Sequence, residues 1–427
     1  MHRFLRIAAA NAVCIVLAIE PLVAVSNARA QGTPDTTTRE LARGVTYQHV
    51  LDPRGPWHIH VVRVDLGRAP VELRATRAKD HLRGRERTSE LVRRAGTDGV
   101  APLVGLNADF FDLKSGENEN NQVIAGEWWK GLKVTDSPFD TYDNVHVQFA
   151  MDAHGHPVID RFVLDAKAWD RGAMTPIVTV NANPSGVPEG TALFTARYGA
   201  TTPRDTTRPT AEATLAVAGH RGDTLLYVRR GAVVNASGSD IPPEGAVLAA
   251  YGARTKEVQA MADGDTIRVL LTTLPRMPDG GVPSLLIGGW PRILRDGVNV
   301  AGDAATVEGT ISRNAEIRHP RSAIAISRDQ KTLWLYVVDG RSTASAGMTL
   351  VELADALRAL GAYHAMNFDG GGSTTMVIDG TVVNVPSDPT GEREVGNAIL
   401  VLKRRERQPV RERAASGFRR RERDGLE

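Results

Sequence analysis

The sequence predicts an α+β fold: a β-rich mixed sheet in which a strand–helix–strand crossover carries the polar site, plus an N-terminal β-rich region. Three observations predict it. Thr332–Val338 is rich in β-branched and aromatic residues and ends at Asp339-Gly340-Arg341. Thr349 and Glu352 have capping-box spacing and open a helix over 350–360, with Leu350, Leu353, Ala354, Leu357 and Leu360 on one face and Gly361 closing it. Residues 364–368 read as a second strand. This order predicts a right-handed crossover between parallel strands. Asp339 and Asp369 then leave at one carboxyl edge, where ligands bind in such sheets. As immediate neighbours, the strands would lie about 5 Å apart and the carboxylates could share a ligand.

In chain order, residues 1–30 form a signal peptide: basic Arg3 and Arg6, an apolar run over 7–19, and Ala28-Arg29-Ala30 as an A-x-A cleavage site. The run is too short to span a bilayer. The only cysteine, Cys14, lies inside it, and Val13 is too large for the position before a lipidated cysteine. The mature chain then has no thiol, which excludes disulfides, thiolate metal sites and cysteine nucleophiles. Residues 31–44 read as a polar linker containing Thr36-Thr37-Thr38. Residues 45–99 form the N-terminal β-rich region. In it His58 and His60 share a strand face, either as metal ligands or simply as polar surface.

At 427 residues, one large domain with insertions and two domains are both open. A short buried strand over 103–106 leads to Asn107 and Asp109, whose amide and carboxylate oxygens suit a sugar or a hard cation such as calcium. Residues 117–121 look like a polar loop and a candidate lid. Trp128 and Trp129 either stack on a sugar ring or pack in the core. Residues 178–264 alternate strand-like runs with Gly and Pro clusters, an elaborated β-rich subdomain. Residues 403–427 read as a charged, disordered tail. The overall charge of +2 hides an asymmetry: the tail holds ten basic and five acidic residues and the leader three arginines and one glutamate, leaving the body at −5. An acidic body argues against nucleic acid as a partner, since that footprint needs a basic face.

The polar residues converge. Residues 322–327 and the turn over 328–331 form a hairpin that pairs Ser327 with Thr332, so Arg321 falls opposite Val338 and His319-Pro320-Arg321 flanks Asp339. After the second strand comes Asn367-Phe368-Asp369-Gly370-Gly371-Gly372-Ser373-Thr374-Thr375. Three consecutive glycines give up much backbone entropy and need a geometric reason. A bare backbone whose N–H groups curl around an anion supplies one, and a tight turn at a sheet edge another. Asp379-Gly380 joins strands over 374–378 and 381–385. One edge therefore collects Arg321, Asp339, Arg341, Asp369, the glycine loop and Ser373. The chain lacks the G-x-S-x-G elbow, the Lys of a P-loop, the dinucleotide fingerprint and H-E-x-x-H.

Ordered blocks then resemble phosphodiester glycosidases related to the lysosomal uncovering enzyme, which removes N-acetylglucosamine capping mannose 6-phosphate. They are Gly105-Leu106-Asn107-Ala108-Asp109-Phe110-Phe111-Asp112, Ile287-Gly288-Gly289-Trp290-Pro291 with Arg295-Asp296-Gly297, His319-Pro320-Arg321-Ser322-Ala323 and Val338-Asp339-Gly340-Arg341. Gly347 to Leu353, the glycine block, Asn384-Val385-Pro386-Ser387 and Gly391-Glu392-Arg393 follow. The chain departs from the family's pattern at Asp109 and Trp290. The resemblance implies that 100–402 is a phosphodiester glycosidase domain, an exported (periplasmic or extracellular) hydrolase acting on a glycan or sugar-phosphodiester.

On that reading Arg321, Arg341 and the backbone of Gly370, Gly371, Gly372 and Ser373 hold the phosphate. Asp369 and Asp339 are the candidate nucleophile or base, with Glu392 the alternative carboxylate. An Arg321–Asp339 ion pair holding the hairpin is the competing structural reading. Asn107, Asp109, Asn367, Thr374 and Arg393 are further substrate-binding candidates. His319 is a proton donor or orients Arg321. The sequence requires no cofactor and leaves a divalent cation such as calcium open. A metal-dependent phosphodiesterase and a non-catalytic cell-envelope glycan-binding protein are the alternatives.

Overall fold

The computed structural model describes residues 32–96, 100, 102–133, 146–184, 188–308 and 316–404. The expected signal peptide over 1–30 and all but the first two residues of the expected tail lie outside them. The fold is β-rich, with sheets of eight, thirteen, five and two strands. Among the described residues no helix is long and apolar enough to cross a membrane.

The site rests on the eight-stranded sheet. Thr332–Val338 alternates its side chains: Leu333, Leu335 and Val337 join one buried cluster, Trp334, Tyr336 and Val338 another. The first cluster packs this sheet against a five-stranded one containing Val71–Arg77, Pro102–Asn107, Met376–Ile378 and Asn397–Lys403. The second packs it against the helix Leu350–Ala359 through Leu350, Leu353, Ala354 and Leu357. That helix starts where the capping box places it. The Glu352 N–H donates to Thr349 Oγ1 (3.1 Å) and the Thr349 N–H to Glu352 Oε2 (2.9 Å). The result is a helix–sheet–sheet stack with a buried layer on each side of the central sheet.

The hairpin register agrees with the sequence: Ser327 N–H donates to Thr332 O (2.9 Å), and Arg321 lies opposite Val338. The crossover differs in one respect. Thr332–Val338 and His364–Asn367 both pair antiparallel with Arg321–Ile326, which lies between them. They run in the same direction and send Asp339 and Asp369 to one edge. They are not neighbours, however, because the hairpin partner takes the intervening position. Two strand spacings, about 9–10 Å, separate the backbones, so the two carboxylates are not a facing pair.

The N-terminal segment also differs from its reading. Within the expected linker, Asp35–Ala42 is a strand paired with Val45–Asp52. Backbone pairing, which polar threonines support as well as apolar residues do, decides this. Trp57–Asp65 pairs directly with Thr332–Val338, and Val71–Arg77 with Asn397–Lys403, so the chain's first strands are interleaved with its last. Lys403, read as the start of the tail, ends a strand. The thirteen-stranded sheet has its own core and feeds Leu285–Gly288 into the cavity wall at Gly289-Trp290-Pro291.

Candidate active site

The edge predicted to collect polar residues opens into a cavity of about 510 Å³, within the range of small-molecule sites. Phe110, Phe111, Trp290, Pro291 and Leu350 form an apolar wall. His319, Arg321, Arg341, Asn367, Asp369, the three glycines and Arg393 form the polar side, and Asp112, Leu113, Lys114 and Glu119 complete the lining.

Each polar side chain is placed by a definable contact. Arg321 starts its strand and is almost fully buried. Its Nε donates to Met348 O (3.0 Å) and its Nη2 to Ile317 O (2.9 Å). Burial and the nearby charge of Arg341 push its pKa down to about 10. Like charges in one cavity wall disfavour each other's ionised form, an effect that here adds to the larger one of burial. Arg341 leaves its strand through a left-handed residue (φ 60°), and its N–H groups reach Ser387 Oγ (3.3 Å) and His319 Nδ1 (3.4 Å). Donation to Nδ1 fits a neutral imidazole with its proton on Nε2. Burial, then the charges of Arg321 and Arg341, lower the His319 pKa and favour that neutral form.

Asp369 presents part of its surface to the cavity and is otherwise enclosed by protein. Burial pushes its pKa up to about 6, opposed by hydrogen bonds from Ser373 and the Gly370 N–H and by the charge of Arg393, and assisted by Asp109. The Asn367 Nδ2 donates to Trp290 O (2.7 Å). This fixes the amide so that Oδ1 is the free acceptor: it is buried, has no protein partner, and belongs to a cavity-lining residue. Arg393 grips Asp388 bidentately (2.7 and 2.9 Å) and approaches Ser373 Oγ (3.4 Å).

Several predicted residues take other places. Asp339 does not line the cavity and makes no ion pair with Arg321. Its Oδ1 accepts from Asn384 Nδ2 (3.2 Å) and the Val385 N–H (3.0 Å), and its Oδ2 lies 3.6 Å from His60 Nε2. This buried carboxylate holds the turn that delivers Arg341. His60 in turn bonds Tyr47 Oη (2.8 Å) and stacks on His49, so it faces protein instead of pairing with His58 on a metal. Glu392 also lies outside the lining. It accepts from Ser89 N (2.7 Å) and Ser89 Oγ (2.6 Å), satisfying the start of the helix Thr88–Ala95.

Asn107 is spent on structure: its Nδ2 donates to Asp369 O (2.7 Å), and its Oδ1 accepts from Ser322 Oγ (2.7 Å) and Thr375 N (3.1 Å). Asp109 is buried and accepts three hydrogen bonds from Asn118 and Asn120. Thr374 is buried and outside the lining.

The glycine loop has a different reason from the expected one. The Gly371 N–H goes to Pro320 O (2.9 Å) and the Ser373 N–H to Gly370 O (3.2 Å), so these donors serve the turn and not a ligand. The missing side chains matter for close approach. A Cβ on Gly371 would lie 2.7 Å from Arg341 Nη2, and one on Gly372 would run into the Asp388–Arg393 pair. Trp128 and Trp129 are buried, Trp128 donating to Leu271 O (3.3 Å) and Trp129 lying under Arg197, so both are core residues. Residues 117–121 are anchored, with Asn118, Asn120 and Asn121 buried and Glu117 paired with Lys130 (2.8 Å), which rules out a lid.

The sequence reading did not assign Phe110, Phe111, Trp290, Asp388 or Glu119. The aromatic residues stood within the quoted blocks. Glu119 lay in a polar run with no periodicity to orient it. Among the described residues, the group with metal-ligand spacing is Asp152, His154 and Asp279, whose donor atoms lie within 4.8 Å of one another; none lines the cavity.

Comparison with known proteins follows this geometry. Residues 213–402 match the family model "Phosphodiester glycosidase". An N-acetylglucosamine-1-phosphodiester alpha-N-acetylglucosaminidase of Mus musculus is 31% identical over 110 residues, covering 24% of this chain and 21% of that protein. The chain thus matches about a fifth of that relative's length. Two solved structures share the fold: a hypothetical protein from Synechocystis (TM-score 0.66, 22% identity, 84% of this chain and 62% of that one) and a candidate exported protein of Burkholderia pseudomallei K96243 (TM-score 0.65, 20% identity, 87% and 97%). Residues 213–402, somewhat under half of the chain, are therefore similar to the phosphodiester glycosidase family.

Proposed function

We propose that the protein is an exported hydrolase that releases an N-acetylglucosamine-like sugar from a sugar 1-phosphodiester. The observation that carries this is the cavity's division of labour. Arg321 and Arg341 repel each other beside a neutral His319, a carboxyl poised near pH 6 faces the same space, and an aromatic wall lies alongside.

The chemistry follows from charge. A phosphodiester carries one negative charge, and breaking its bond to the anomeric carbon leaves a phosphomonoester approaching two. Arg321 and Arg341 therefore bind the leaving group more tightly in the transition state than in the ground state, which is the requirement for rate acceleration. Phosphate leaves without strong acid assistance, so the neutral His319 need only donate its Nε2–H as a hydrogen bond. Asp369 can take a proton from water at neutral pH, since a base is most effective with a pKa near the working pH. Trp290, stacked on His146 and edge-to-face with Phe110, gives the cavity an apolar side against which a sugar can pack, and Asn367 Oδ1 awaits a hydroxyl or amide N–H. Export is supported by the leader sequence over residues 1–30.

The test is incubation of the mature protein with N-acetylglucosamine α-phosphate methyl diester in ¹⁸O-water, with products read by mass spectrometry. Label in the free sugar establishes C–O cleavage. Label in the phosphate makes the protein a phosphodiesterase, to be repeated in chelator. Binding without turnover, unchanged by Asp369→Asn, makes it a glycan-binding protein.

A further inference from the structure

Arg321 and Arg341 line one cavity but are held differently. Arg321 is buried, whereas Arg341 is exposed and its contacts are long, Ser387 Oγ at 3.3 Å and His319 Nδ1 at 3.4 Å. A guanidinium so lightly gripped is aimed by its backbone, which is left-handed at this residue (φ 60°). That backbone belongs to the loop over 339–349, which joins Thr332–Val338 to the helix Leu350–Ala359.

The loop leans on the N-terminal strands. The Asp339 N–H donates to His58 O (2.9 Å) and the Ala346 N–H to Pro56 O (2.9 Å). The Ser345 hydroxyl accepts from the His58 N–H (3.0 Å) and donates to Asp339 O (2.6 Å), closing the loop onto that strand. Trp57 Nε1 donates to Gly347 O (2.8 Å), and its ring lies under Arg318.

From Asp339 a buried polar chain continues into the same strands. Its Oδ1 accepts from Asn384 Nδ2 and the Val385 N–H, which ties in the segment that carries Ser387. Its Oδ2 faces His60 Nε2 at 3.6 Å, with both side chains buried. Tyr47 Oη meets His60 Nδ1 (2.8 Å), and the imidazole stacks on His49. His60 Nε2 has no hydrogen-bond partner. A bare lone pair turned on a carboxylate would repel it, so Nε2 carries a proton, and Tyr47 donates its O–H to Nδ1 of the neutral ring. Buried polar chains are costly when incompletely satisfied. This one ends at the carboxylate that joins the loop of Arg341 to the segment of its partner Ser387.

Resting on the hydrolytic reading above for the identity of the anion, we propose that the N-terminal strands set the grip on phosphate. Trp57 and His60 are positioning residues that aim Arg341, Trp57 by fixing the loop at Gly347 and His60 by backing Asp339. Both lie outside residues 213–402, and neither lines the cavity. The sugar side is held by other contacts, since Trp290 O accepts from Asn367 Nδ2 and Trp290 Nε1 donates to Glu308 O.

The test uses the full mature chain and calorimetric titration with inorganic phosphate and, separately, with N-acetylglucosamine. Trp57→Phe keeps a ring under Arg318 and loses the Nε1–H, while Tyr47→Phe and His60→Gln interrupt the buried chain. Each should weaken phosphate binding about tenfold, as for one lost charge-assisted contact, and leave sugar binding within about twofold of wild type. The two changes to Phe keep the strands' packing, so the measurement survives if His60→Gln fails to fold. In an Arg341→Gln background the same changes should add nothing, because residues acting through Arg341 lose their effect with it. Equal losses for both ligands, or undiminished losses in the Arg341→Gln background, would show a purely structural role and overturn the proposal. Phosphate affinity unchanged in every variant, or wild-type protein that binds no phosphate, would overturn it as well. Turnover of the methyl diester is measured alongside. Its absence, with the expected phosphate pattern present, would remove the hydrolytic reading and leave the aiming of Arg341 standing.

Discussion

Replacing Asp369 with Asn should abolish turnover and, at neutral pH, make the protein more stable. The magnitude follows from the carboxyl's surroundings. Its ordinary pKa is 3.8 and the fold holds it at about 6, chiefly by burial. At about 1.4 kcal/mol per pH unit, the native state at pH 7 bears about 3 kcal/mol for keeping this group ionised. The sign is that of a raised pKa: the contribution to stability is fully present below pH 3.8 and is lost as pH rises through about 6. Asparagine carries no charge and avoids that loss. It accepts one fewer hydrogen bond than the carboxylate, which costs about 1 kcal/mol. The expected net gain is about 2 kcal/mol at pH 7.5 and none at pH 3.5. Urea unfolding of both proteins at the two pH values, with equal m-values, measures it. A variant less stable than wild type at pH 7.5, or a gain equal at both pH values, would refute the argument that burial dominates the site.

Other consequences are testable in the same material. If Asp369 acts as the ionised base, kcat/KM should fall about tenfold per pH unit below about pH 6. Arg393→Gln should move that limb to higher pH, because the Arg393 charge holds the carboxyl down; a limb that stays in place would dissociate Arg393 from Asp369. Glu392→Gln should cost about 1 kcal/mol of stability through the Ser89 contacts while leaving kcat unaltered, measured by urea unfolding and initial rates. Gly372→Ala should remove activity while the protein stays folded, since the added methyl meets Asp388 and Arg393; retention of full activity would show that the loop yields freely.

Legibility followed the range of the interaction. Thr349 and Glu352 specify the start of a helix within four residues, Asp379-Gly380 specifies a hairpin within two, and Ser327 with Thr332 sets a register that places Arg321 opposite Val338. These depend on local geometry and were readable. So was the convergence of Arg321, Arg341, Asp369 and the glycines on one edge, since strand direction alone carries it. The role of each carboxylate was not readable. Asp339, Asp369 and Glu392 look alike in sequence, yet one meets His60 and Asn384, one meets the cavity and one meets Ser89.

By itself, then, the sequence determined the local elements, their register and the edge at which polar residues collect, because hydrogen bonds between near neighbours and side-chain periodicity define them. Only the tertiary structure decided that Arg321–Ile326 intervenes between the crossover strands, that the glycines admit Arg341 and the Asp388–Arg393 pair, and that Glu119 lines the cavity. The physical reason is that desolvation and side-chain pairing depend on segments hundreds of residues apart. Asn107 bonding Asp369 and His60 approaching Asp339 are contacts that no local pattern encodes.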